Sequence, residues 1–322
     1  MANVWSLTGK TLLSPLFFES VWGDMNKKLF TYSVHEVAEY INWSYFFHAW
    51  GFPLRFASIA DVHGCDSCHA LWLAAFPEGE RAQASEAMQL YKEAGRMLAF
   101  LDGKYGTKAI CRLCEAYAVE DDIYLDGVRF PLLRQQTSTA EGSDSYLCLS
   151  DFVRPHSLGG KDCVGVFAAT VDTQMETLFS DDPYKRLLMQ TLAERLAEAT
   201  AEVMHQYVRR QMWGYAPAEK LTIAQLHRED FQGIRPAVGY PSLPDLSVNF
   251  LIDELLQMTD IGITLTEHGA MQPHASVSGL MLAHPSARYF AVGKISDEQL
   301  TDYARRRGFP VAEMEKFLCH LL

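Results

Sequence analysis

The chain has 322 residues, 48% of them hydrophobic and 21% charged, enough apolar material for one large domain or two smaller ones. A formal net charge of −12 argues against a nucleic-acid backbone or an anionic membrane as the main partner. No stretch reaches the roughly 18 consecutive apolar residues of a membrane span, and Pro15 breaks the early apolar run "TLLSPLFF", so a cytoplasmic protein with free thiols is expected.

In chain order, "VHEVAEYINWSYFFHAWGF" reads as one helix, with Val34, Val37 and Ile41 at helical spacing. A Gly/Pro-broken segment separates it from a second helix, "ASEAMQLYKEAGRMLAFL". "KAICRLCEAYAVEDDIYLDGVRFPLL" is β-rich and turns at Asp126-Gly127, a strong hairpin signal. "DCVGVFAATV" is a further strand. A long helix starts at Asp182-Pro183, a cap residue followed by proline at the first helical position, and runs to Trp213 before Gly214. Leu188, Leu192, Leu196, Ala199, Val203 and Tyr207 form its apolar seam. Glu194, Glu198, Glu202, His205 and Arg209 form a second stripe, which on spacing alone is a solvated face with (i, i+4) pairing.

"GIRPAVGYPSLPD", residues 233–245, holds three prolines and two glycines, too irregular for helix or strand and yet stiff. "ASVSGLMLAHPSARYFAVGKI" reads as two strands joined through His284-Pro285-Ser286. Ser296 and Gln299 make a capping box for a helix that Gly308 stops, and Pro310 opens a short last helix. Strands and helices do not alternate in a βαβ rhythm, so the fold class expected is α+β with an antiparallel sheet.

"CDSCH", Cys65 to His69, matches the haem attachment pattern, but that chemistry needs export and no signal is present. "CRLC", Cys111 to Cys114, offers a second C-x-x-C, and a four-cysteine zinc site is the alternative. The second pair falls in a strand, where positions i and i+3 face opposite sides. Free thiols are the favoured reading and no metal is expected. His35, His48, His156, His227 and His320 are scattered, while His268 and His274 flank the stiff loop "GAMQP". Arg235, held on the proline arch, presents a planar charged fork suited to a carboxylate. Glu229 and Asp230 could receive an ammonium, and Tyr289-Phe290 could face a cation. Together these would suit an amino-acid-like ligand bearing a sulfonium. The competing reading is an arginine that braces its own loop.

"QGIRPAVGYP" resembles the R-x-x-x-G-Y-P motif of the activation domain of cobalamin-dependent methionine synthase. "YINWSYFFHAW", "LRQQT", "LSDFV", "RLAEATAEVMHQYVRRQMWGYAP", "TEHGAMQPHASVSGLMLAHPSARYFAV" and "DYARRRGFPVAEMEKFL" resemble successive blocks of that domain, in the same order, across residues 32 to 318. The resemblance implies a C-shaped α+β domain at 32–322 on a twisted antiparallel sheet, preceded by an N-terminal extension at 1–31. It implies a methyltransferase component, not a full methionine synthase: the domain binds S-adenosylmethionine and methylates cobalamin after a low-potential donor, flavodoxin or similar, has reduced it.

Carried over by motif, the S-adenosylmethionine contacts are Asn42, Glu229, Arg235, Ala237, Tyr289 and Phe290. Gly239 and Tyr240 sit beside the transferring methyl. Glu194, Glu198, Met271 and His274 face the cobalamin module when it docks. Three departures stand out: Asn42 replaces the family's usual aspartate, Gln272 and His274 replace its usual tryptophan and glycine, and an insertion carries "HGCDSCHALW". No cobalamin-binding D-x-H-x-x-G motif is present, so the cobalamin is expected on a separate partner protein. A scaffold that keeps the fold without the methyl chemistry is the alternative reading, and Asn42 is the feature that sustains it.

Overall fold

A computed structural model describes residues 27–136 and 146–322; residues 1–26 of the expected extension and Thr137 of "LRQQT" lie outside the described residues. The chain opens with β1 (Lys27–Ser33) and a helical layer of α1 (Val34–Ala38), α2 (Trp43–Ala49), α3 (Asp66–Ala74) and α4 (Arg81–Leu101). Strands β2 (Gly106–Val119), β3 (Asp122–Leu125), β4 (Val128–Pro131) and β5 (Asp162–Val171) follow, then the long α5 (Pro183–Tyr207). The remainder comprises α6 (Ile223–His227), α7 (Val248–Leu256), a ribbon of β6 (Thr264–Leu265) and β7 (Met271–Gln272), β8 (Ser276–Met281), α8 (Asp297–Arg307) and α9 (Val311–Leu318).

The main sheet has six strands, all antiparallel, in the α+β arrangement expected. β2 is its spine. One edge of β2 is shared end to end, by β1 from Gly106 to Arg112 and by β3 from Ala116 to Val119. The other edge pairs with β5 from Thr107 to Ala116, and β8 lies beyond β5. Residues 27–31, assigned above to the N-terminal extension, therefore include part of a strand of this sheet.

Both faces of the sheet are covered, so its central strands read as continuous apolar runs with a hidden period of two. Ala109, Cys111, Leu113, Cys163, Phe167 and Ala169 face Ala201 and Met204 of α5 and Val208 just beyond it. Ile110, Cys114, Ala116, Val164, Val166 and Ala168 face the opposite core, built on α7, α8 and α9. A third cluster joins α1 to α4 with the N-terminal half of α5 through Leu188, Leu192, Leu196 and Ala199.

Local signals placed most boundaries. Asp126 and Gly127 both take positive φ, 48° and 88°, in the tight β3–β4 turn. Asp182 caps α5 by accepting the Lys185 amide at 3.1 Å. Three expectations need correction. The helix expected over 34–52 is two helices, because Asn42 takes extended backbone and accepts the Ser44 amide at 3.1 Å, starting α2 afresh. The second strand expected around Tyr289-Phe290 is an irregular segment outside the sheet. At α8, Ser296 accepts the Gln299 amide, but Gln299 turns its side chain to the Arg134 carbonyl and Gln136 supplies the reciprocal acceptor.

The proline arch lies along the free edge of β8. Ile234 exchanges both backbone hydrogen bonds with Leu282 at 2.9 Å, Leu280 donates to the Pro236 carbonyl at 3.0 Å, and Val238 donates to Ser278 at 2.9 Å. Pro236 has no amide to give, and at this position it needs only to accept. Gly279 makes the approach possible: a Cβ there would stand 2.2 Å from the Pro236 oxygen and 2.9 Å from the Ala237 Cα. Gly279→Ala is expected to cost about 1–3 kcal/mol, because backbone must shift to admit the methyl. Urea unfolding of the variant against the parent chain checks this.

Candidate functional site

The arch, the N-terminus of α2, one face of α5 and the segment 289–291 enclose a groove of about 730 Å³. Strand-like alternation along the arch decides what it shows. Ile234 and Val238 enter the core on the α7 side, while Arg235 and Ala237 turn to the α5 side and the groove. The ends are pinned. Gln232 donates to the Ala283 carbonyl at 2.8 Å, and buried Asp245 accepts from Ser247 and from the Tyr303 hydroxyl at 2.7–2.8 Å. Ser242 bonds the Phe290 carbonyl and accepts the Phe290 amide at 3.1 Å, fixing the aromatic segment against the arch.

Arg235 is the centre. Its side chain is 13% exposed, and its Nη2 donates to Glu202 Oε2 at 3.2 Å. Its Nη1 is buried without a hydrogen-bond partner. Burial opposes the Arg235 charge, but the carboxylates of Glu202 and, further off, Glu198 outweigh it and hold the guanidinium above its ordinary value. The Arg235 amide donates to the Tyr289 hydroxyl at 2.9 Å, and burial pushes that phenol up to about 12, with Arg235 pulling the other way. Tyr289 therefore stays protonated.

Glu229 stands in the groove wall with φ of 59°, a backbone conformation that costs an L residue energy and recurs at functional sites. Burial raises its pKa, Arg235 lowers it and Glu202 raises it further; the net direction is up. The Tyr240 hydroxyl donates to Glu198 Oε1 at 2.7 Å across the mouth. Burial and then Glu198 push that phenol upward.

The stripe on α5 is not a solvated face. It descends from exposed Glu194 through half-buried Glu198 to buried Glu202, His205 and Arg209. The reason is non-local. Residues 214–232 fold back over the C-terminal end of α5, where the helix widens into one π turn, Val208–Met212. Arg209, fully buried, pairs with Glu219 at 2.8 Å, bonds His205 Nδ1 at 2.8 Å and lies over the Phe231 ring. Because Arg209 can only donate, His205 Nδ1 is the acceptor and its Nε2 carries the proton.

Of the residues singled out from sequence, Asn42, Glu198, Glu229 and Arg235 line the groove, as do Ala237, Tyr240, Tyr289 and Phe290. Gly239 shapes the bend beneath Tyr240, with φ of 87° and its amide on the Leu243 carbonyl, and does not line the groove. Glu194 is exposed on α5 beyond the lining residues, next to Arg195 at 3.7 Å. Met271 and His274 sit on the approach to β8, where Glu176 accepts the His274 amide, and they too lie outside the lining. Asp230 bonds Arg228 at 2.9 Å and does not line the groove. Sequence reasoning missed the part Glu202 plays; its (i, i+4) relation to Glu198 was visible, its burial was not.

Cys111 and Cys114 lie on opposite faces of β2, so the four-cysteine arrangement does not form. Burial pushes the Cys111 thiol up to about 12 and the Cys114 thiol higher, as befits inert core thiols. Among the described residues no helix is long and apolar enough to cross a membrane.

Residues 33–308 match the family described as "vitamin B12 dependent methionine synthase, activation domain". Among solved structures, the chain is similar to the MetH reactivation domain bound to AdoHcy, with 35% identity and a TM-score of 0.77 over 92% of this chain and 90% of that one.

The buried His205 gives the site a pH signature. Burial first, then Arg209 and Arg235, hold its pKa well below the ordinary value. The unfolded chain protonates this residue below about pH 6.5 while the folded chain does not, so acid favours unfolding through His205. Between about pH 6 and 5 the parent chain should lose up to about 1.4 kcal/mol per pH unit more than His205→Gln. Urea unfolding of both proteins across that range checks it.

Proposed function

The chain belongs to the family of vitamin B12-dependent methionine synthase activation domains, and from that premise we propose that its groove binds S-adenosylmethionine and presents the sulfonium methyl to a docked cobalamin module. The observation that carries the reading is Arg235: a buried guanidinium braced by Glu202 on one nitrogen, with the other unpartnered in a groove. A half-satisfied buried donor costs stability unless a ligand completes it. A ligand carboxylate would do so, which fits the amino-acid end of S-adenosylmethionine. S-adenosylhomocysteine, carried by the solved relative, has the same end.

The other groups divide the remaining work. Glu229, whose charge is poorly solvated, gains from a neighbouring ammonium. Glu198, Glu202 and Glu229 give the groove three carboxylates against the two guanidiniums of Arg195 and Arg235, a field that suits a cationic sulfonium. Phe290 and Tyr289 supply flat apolar surface for the adenosyl portion. Tyr240, half exposed at the mouth and tied to Glu198, stands where the methyl would leave. A docked module would bring the nucleophile, a cobalamin reduced by a flavodoxin-like donor. This chain's part is to hold the methyl donor still and dry on one side and open on the other. Glu194, exposed beyond the groove, together with Met271 and His274 would meet the docking module.

Calorimetric titration of S-adenosylmethionine into the chain should show saturable binding. Arg235→Lys keeps the charge beside Glu202 but not the fork, and should weaken binding by about tenfold or more. Absence of binding to the parent chain, alone and beside a cobalamin-loaded module, would sink the proposal. Glu194→Gln should leave that affinity unchanged and slow reactivation of an inactive cobalamin enzyme supplied with reductant; equal loss of both would place Glu194 in the groove and not at the docking face.

A further inference from the structure

The cysteines of the insertion, Cys65 exposed and Cys68 half-buried, take no part in the groove. Between the 3₁₀ segment Leu54–Asp61 and α3 the chain turns through His63, and Cys65 is the N-cap of α3. There the His63 imidazole and the thiols of Cys65 and Cys68 converge, one donor atom of each within 4.8 Å of the other two. The first helical turn holds this arrangement: the Cys68 backbone amide donates to Cys65 Sγ at 3.4 Å, fixing the Cys65 side chain. We infer that His63, Cys65 and Cys68 form a zinc site, with the fourth position open to water or an exchangeable ligand.

The chemistry of the donor set selects the ion. Two thiolates and an imidazole are soft to borderline ligands, suited to zinc and unsuited to magnesium or calcium, which take oxygen. Tetrahedral zinc with Zn–S near 2.3 Å and Zn–N near 2.0–2.1 Å needs donor atoms about 3.5–3.8 Å apart. The present separations require a contraction of about 1.3 Å at most, within reach of exposed side chains at the mouth of a helix. C-x-x-C at a helix start, with a histidine two residues before, supplies three ligands from a six-residue stretch, so no other part of the fold must move. The second C-x-x-C cannot compete, since both its thiols are buried on opposite sheet faces.

The position gives the ion something to hold. Trp72 of α3 packs edge-on against Phe56 and Phe76 and donates to the Ser58 hydroxyl at 3.0 Å, so α3 and the 3₁₀ segment already share a small aromatic core. A metal at His63, Cys65 and Cys68 closes the open end of that unit as a clip. Three protein ligands and an exposed setting make it an exchangeable clip, not a condition of folding.

The test uses the full chain carrying Cys319→Ser, which removes the other exposed thiol. Under thiol reductant, Zn²⁺ titrated in competition with a chromophoric chelator should bind at one ion per chain, and Co²⁺ should give the thiolate charge-transfer absorption of a two-sulfur tetrahedral site. Cys65→Ser with Cys68→Ser should abolish both signals. His63→Ala should weaken binding by about tenfold or more and leave the sulfur absorption in place. Far-UV circular dichroism should be unchanged in all variants, since the substituted side chains are at the surface. No stoichiometric ion, an ion retained by the double serine variant, or a cobalt spectrum without sulfur ligation would overturn the assignment.

Discussion

The site depends on one backbone contact, the Pro236 carbonyl laid against Gly279 on the open edge of β8. A sheet edge invites any extended segment to pair with it, and here the occupant is a stretch that prolines make rigid before it arrives. Gly279 and Gly233 let the two backbones close: a Cβ at Gly233 would stand 2.3 Å from the Leu282 oxygen. Once the pairing register is set, alternation leaves no freedom. Arg235 and Ala237 must face α5, and Ile234 and Val238 must face the core. A slip of one residue would bury Arg235 in the apolar cluster and turn Ile234 into the groove.

On the α5 side the arch meets a network that is costly to build. Arg209, Glu219, Glu202, Arg235 and neutral His205 form a chain of two guanidiniums, two carboxylates and an imidazole, nearly all removed from water. Such clusters give little net stability, because desolvation consumes most of the Coulombic gain. What they give is position, since Arg209 and Glu202 at the centre of this one are each held by partners on more than one element. The π turn at Val208–Met212 serves this end by carrying Arg209 into reach of both His205 on α5 and Glu219 on the returning segment. Glu202 is shared between Arg209, at 3.7 Å, and Arg235, at 3.2 Å. The unpartnered nitrogen of Arg235 is thus a donor that the network leaves open beside the groove, next to the unpartnered Oε1 of Glu202.

Local chemistry made much of this legible. Asp126-Gly127 demanded a tight turn, Asp182-Pro183 demanded a helix start, and the run from Asp162 to Val171 could hardly be anything but a strand. The arch itself announced a rigid irregular segment, and Arg235 stood out on it because a charged fork is wasteful on a loop with no task. What stayed hidden was non-local. The spacing of Glu194, Glu198 and Glu202 is the same whether water or protein covers it, and only the return of residues 214–232 decides. Similarly, Tyr289 and Phe290 look like strand residues; what keeps them out of the sheet is that the neighbouring edge is already taken by the arch.

Asn42 both starts a helix and stands in the groove wall. Its side-chain carbonyl is committed to the Ser44 amide, which starts α2 and so positions Tyr45 and His48 along the groove. Asparagine and aspartate cap helices about equally well. An aspartate here would therefore leave the wall of the groove where it is and add only a charge. That charge is one of several, because Glu198, Glu202 and Glu229 already make the groove acidic. Asparagine thus performs the capping that starts α2 without adding to a charge that three carboxylates already supply.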